Sequence, residues 1–101
     1  MLNLPKFKKA YIYQKPINMR WGEKKLAQLY KQHLGVEPQI GEAVLFFNTK
    51  RDCLKLFFRD ALGANELQKI MPRGGFMLPA PIAGQALVEV VPRLVQRLFS
   101  R

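Results

Sequence analysis

The residues able to do chemistry are few. His33 and Cys53 are each the only residue of their type in the chain. A cysteine nucleophile needs its base within hydrogen-bond reach, but His33 lies far off in sequence, at the end of an apolar helical stripe where a core or capping role is simpler. Cys53 opens an alternating run beside Leu54 and reads as a small buried hydrophobe. One histidine and one cysteine do not build a metal site without carboxylates at matched spacing. Asp52, Asp60 and Glu66 are the acidic trio to weigh as a nuclease-type divalent-metal triad. Two of them fall in turns, where aspartate ordinarily serves local hydrogen bonding. No dinucleotide, P-loop or nucleophile-triad fingerprint is present. The sequence therefore predicts no enzyme: no catalytic residue, no metal and no cofactor.

The stretch MPRGGFMLPAP, residues 71–81, looks more suggestive. A phosphate cradle requires several backbone N–H groups aimed at one anion, usually at a helix N-terminus. Pro79 and Pro81 follow too soon for a helix to start. A repeated RGG tract is also absent. Gly74-Gly75 thus reads as a turn between two extended segments, with Arg73 at its edge.

Charge is the strongest global feature. Seventeen Lys and Arg face seven Asp and Glu, a formal net charge of +10 in 101 residues. Such an excess raises self-repulsion and suits a polyanionic partner. Residues 1–31 hold eight cations and the single acid Glu23, and a second basic region begins at Lys50. The candidate nucleic-acid contacts are Arg20, Lys24, Lys50, Arg51, Lys55, Arg59 and Arg73 for phosphates, with Phe57 for a sugar or an unpaired base. No apolar run approaches the roughly 20 residues of a membrane span, and the N-terminus lacks a secretory signal pattern. The absence of any cysteine pair fits a reducing cytoplasm.

These side chains need elements to position them. Residues 1–10 read as a basic arm and Tyr11–Tyr13 as a short strand. Asn18 can cap an amphipathic helix over Met19–Leu34, with Met19, Leu26, Leu29, Tyr30 and His33 inward and Arg20, Lys24, Gln28 and Lys31 outward. Gly35 suits its C-terminal left-handed position. Ala43–Phe47 and Cys53–Arg59 form a hairpin in which Leu54, Leu56 and Phe58 face the core and Lys55, Phe57 and Arg59 face outward. Further strands are expected over Asn65–Met71, Phe76–Leu78 and Ala86–Val91. Pro92 then starts a short C-terminal helix. The fold class is α+β in one domain, residues 1–101: an antiparallel sheet of about four to five strands with one N-terminal and one C-terminal helix.

Taken together, several spacings carry a resemblance. Asn18-Met19-Arg20-Trp21-Gly22 before Leu26-Ala27, Gly41 before Leu45-Phe46-Phe47-Asn48, Arg51-Asp52 with Leu54-Lys55-Leu56, Gly63, and Arg73-Gly74-Gly75-Phe76 with Pro79 stand in order. From Tyr11 to Leu98 the chain resembles the TnpB accessory protein of the insertion-sequence-sixty-six elements. That family reads D-M-R-K-G before its helix, so Asn18 replaces Asp and Trp21 replaces Lys. The resemblance implies a small cytoplasmic protein encoded beside a separate transposase and lacking a recognised catalytic centre. Its expected partners are DNA, at element ends or without sequence preference, and the transposase of the same element, with no membrane. A homodimer stays open. The alternative is an adaptor that docks on the transposase and touches DNA only weakly.

Overall fold

A computed structural model describes residues 4–71 and 75–99. In chain order the elements are β1 (Lys9–Tyr13), α1 (Glu23–Leu34), β2 (Glu42–Phe47), β3 (Cys53–Asp60), β4 (Gly63–Ile70), β5 (Leu87–Val90) and α2 (Pro92–Phe99). The strands form one sheet in the order β4-β3-β2-β1-β5. The α+β class holds, with one refinement. β1 and β2 are parallel, Lys9 beside Glu42 and Ile12 beside Leu45, while the other neighbours are antiparallel. Parallel neighbours need a crossover connection, and α1 supplies it.

The expected one-sided core is incorrect, because both faces of the central strands are covered. Ala10, Ile12, Ala43, Leu45, Phe47, Leu54, Leu56 and Phe58 pack on one face with Val95 and Phe99 of α2. Tyr11, Tyr13, Val44, Phe46 and Phe57 pack on the other with Leu26, Ala27, Leu29 and Tyr30 of α1. Strands buried on both faces lose the polar half of the alternation. β2, Glu-Ala-Val-Leu-Phe-Phe, shows this directly, with five consecutive buried residues.

Three further expectations shift. From Leu4 onward the stretch read as an arm is tied in: Phe7 is buried edge-on to Phe58 with centroids 5.2 Å apart, and the Lys8 N–H donates to the Gly41 carbonyl at 2.7 Å. The helix starts at Glu23 rather than Met19, with Gly22 at its N-cap and no side-chain cap. Asn18 instead closes a turn, its Oδ1 accepting the Arg20 N–H at 2.8 Å and its carbonyl the Trp21 N–H at 3.0 Å. The helix C-terminus falls as expected, Gly35 at φ 79° donating to the Lys31 carbonyl. Finally, Phe76–Leu78 is not a strand. Phe76 is anchored by one bond from its N–H to the Arg51 carbonyl at 2.9 Å, and Pro79 and Pro81 lack the donors a ladder needs.

Candidate nucleic-acid interface

Three segments meet at the end of the sheet where β2 gives way to β3. The β2–β3 turn is built by Asn48, whose Oδ1 accepts the N–H groups of Asp52 and Cys53 at 3.2 and 3.1 Å and whose Nδ2 donates to Asp52 Oδ1 at 2.7 Å. This holds Lys50 and Arg51 exposed at the tip. Arg51 adopts φ 58°, and its guanidinium lies 5.2 Å from the centre of the Phe47 ring. The Ile17 N–H donates to the Phe47 carbonyl at 2.9 Å, which brings the Asn18–Gly22 turn, with exposed Arg20, to the same end, while Lys24 on the first turn of α1 lies toward Arg59 and Glu37.

The third segment carries Arg73, which lies outside the described residues. Its flanks are fixed: the Met71 N–H donates to the Asp52 carbonyl at 2.7 Å, and Phe76 bonds Arg51. Gly75 sits at φ 144°, and a Cβ there would meet the Arg51 carbonyl oxygen at 2.9 Å. Glycine is required by this close approach.

Two of the residues expected at the surface are buried. Phe57 is 0% exposed, lying under α1. Lys55 is 6% exposed, and its ammonium is fully engaged. It donates to the Met19 and Trp21 carbonyls at 2.7 and 2.9 Å and pairs with Glu66 at 3.2 Å. Neither can reach a phosphate or a base. Arg59 is half-buried, 3.6 Å from Glu37, and stands at the far end of β3, so roughly 20 Å of strand separates it from Arg51. Lys50, Arg51, Lys55 and Arg59 thus do not share one positive surface.

Sequence reasoning also passed over Trp21 and Lys25. Lys25 Nζ lies 5.1 Å from the centre of the Trp21 ring. Trp21 precedes the N-cap of α1, so the contact joins the turn to the first turn of the helix, and no helical spacing signalled it.

The acids are dispersed. Asp52 serves the β2–β3 turn and Glu66 pairs with Lys55, while Asp60 accepts the Leu62 and Gly63 N–H groups at 2.9 and 3.1 Å. Among the described residues no three His, Cys, Asp or Glu side chains gather in a metal-binding group. Buried Cys53 accepts a hydrogen bond from Gln68 Nε2 at 3.2 Å. His33 is exposed rather than in the core, its ring 5.7 Å from that of Tyr13. On the α2 side of the sheet, a cavity of about 140 Å³ lies between the β1–β5 edge and residues 78–82, lined by Ile12, Leu78, Pro81 and Val88 with Arg51 and Glu89.

A five-stranded sheet with a helix on each face, and with exposed cations on loops and on both helices, defines a small basic α+β protein. The family model described as "IS66 Orf2 like protein" matches residues 8–100. The chain belongs to that family and is a transposition-associated accessory protein of the IS66 insertion-sequence type. No curated protein and no solved structure matches it.

Proposed function

We propose that this accessory protein binds DNA through phosphate contacts made at one end of its sheet, acting beside a separate transposase. The observation that carries the reading is the pattern of unneutralised charge. Among the described residues the ion pairs engage Lys31 and Arg59, both with Glu37, and Lys55 with Glu66. Arg20, Lys50 and Arg51 are exposed without an ion pair on two turns that converge, and Lys24, also without one, stands on the first turn of α1 toward Arg59 and Glu37. Clustered cations in a +10 protein are what a polyanion attracts. Contacts of this kind fix position on the duplex and carry no base information.

Binding of element-end and random duplexes at two salt concentrations tests the reading. Affinity should fall steeply with salt for both. Arg51→Ala should weaken both about equally and lower the salt slope by about one, whereas Arg59→Ala should leave the slope unchanged. Loss of slope with Arg59→Ala but not with Arg51→Ala would move the interface to the other end of the molecule.

The adaptor reading has one observation in its favour, the apolar cavity under residues 78–82. Capture of the transposase that is insensitive to salt and lost on filling this cavity, with no measurable duplex binding, would establish it instead.

A further inference from the structure

Every phenylalanine and tyrosine in this chain is buried; Trp21, packed against the α1-side core, keeps partial exposure. It stands in a turn that leads into a cationic helix start. Arg20 precedes it, Lys24 and Lys25 follow within one turn of helix, and all three are exposed. Of the acids nearby, Glu23 starts α1, Glu66 is paired with Lys55, and Glu37 is engaged by Lys31 and Arg59. The turn is also fixed from beneath. Lys55 grips the carbonyls on both sides of Arg20, those of Met19 and Trp21, while Asn18 holds the Arg20 N–H. Backbone held this firmly cannot retreat from a ligand, so its side chains meet one without first ordering the loop.

We propose that the turn Asn18–Gly22 is a binding site for an unpaired nucleotide of single-stranded DNA, with Trp21 as the stacking surface and Arg20, Lys24 and Lys25 on the flanking phosphates. An indole flanked by cations is the combination that single-strand binding uses, because every base has a π face and every linkage a charge. Lys25 now occupies the space near the ring, 5.1 Å from its centre. An arriving base takes that place and leaves the ammonium to the phosphate of the same nucleotide. The cation–π contact is therefore exchanged for stacking plus an ion pair, and the charge stays compensated. This inference rests on the DNA-binding reading above but asks more of it, a preference for unpaired over paired strands.

Trp21 is the only tryptophan, so emission excited where tyrosine does not absorb reports this site alone. The full chain is titrated with a fluorescein-labelled oligothymidylate and, separately, with a labelled blunt duplex of the same length, reading anisotropy; unlabelled strands are used for tryptophan emission. The oligothymidylate should quench Trp21, and the duplex should bind with little quenching. Trp21→Ala should lose roughly tenfold in single-strand affinity, within the range for one stacked base, with duplex affinity retained. Arg20→Ala leaves the indole and the core in place and should weaken single-strand binding while preserving quenching at saturation. Equal quenching by both DNAs, or single-strand affinity unchanged in Trp21→Ala, overturns the site. Duplex binding without any single-strand binding overturns the site and spares the DNA-binding reading; failure of both DNAs to bind overturns both.

Discussion

Lys55 shows what one residue can conceal. Its ammonium has three N–H donors and finds three acceptors, the Met19 and Trp21 carbonyls and Glu66. A buried charge satisfied in this way is not free stability, since desolvation opposes the attraction. Removing it is nonetheless costly, because the two carbonyls lose their partner and the turn before α1 loses its anchor. Lys55→Ala should destabilise the protein by about 2 to 4 kcal/mol in denaturant unfolding, comparable with the roughly 2 to 5 kcal/mol expected for Leu56→Ala beside it. Lys55→Met, which keeps the stem packed, should cost less. An Ala variant within experimental error of the parent would mean that the buried contacts contribute nothing net. Tyr30 is a second buried polar residue: its hydroxyl donates to Glu42, and burial first, then that bond, raises its pKa well above 10.

At the scale of elements, the β3–β4 hairpin depends on a short turn. Asp60 accepts the N–H groups of Leu62 and Gly63, and these bonds, Leu62 first and then that with the Asn65 side chain, hold its carboxyl below the ordinary 3.8. The folded pKa is depressed, so the associated stability is present above about pH 4 and is lost as pH falls through the folded value. Asp60→Asn should lower the neutral plateau slightly and meet the parent at low pH, which flattens the acid limb of a stability-against-pH curve. An identical acid limb in the variant would assign the loss to other carboxylates. α1 illustrates the converse, an element whose start is set from outside. Its periodicity extends back toward Met19, but Lys55 and Asn18 hold the residues before Gly22 as a turn, and the helix gives up its first residues to that arrangement.

For the whole molecule the decisive quantity is the +10 charge. Like charges on a body with a radius of gyration of 12.6 Å repel over distances comparable with the Debye length, about 10 Å at 0.1 M salt. Raising salt from low to physiological values should therefore raise the melting temperature by a few degrees, and a bound polyanion should raise it further by mass action. A melting temperature that falls over the same range would show that the attractive pairs around Glu37 and Glu66 outweigh the repulsion. No helix among the described residues is long and apolar enough to cross a membrane.

The sequence by itself determined what is local or additive. The apolar run of β2, the alternation in β3, Gly35 and Pro92 as helix punctuation, the net charge and the ordered motifs of the IS66 accessory family were all legible along the chain. Tertiary structure alone decided which faces were covered. Alternation separates two faces of a strand but does not say whether a helix lies on the second one, so Lys55 and Phe57 read as surface until α1 packed over them. The parallel β1–β2 pair and the meeting of residues 18–22, 48–52 and the flanks of Arg73 depend on contacts between residues far apart in sequence. Such contacts arise from chain topology and packing, which no local spacing encodes.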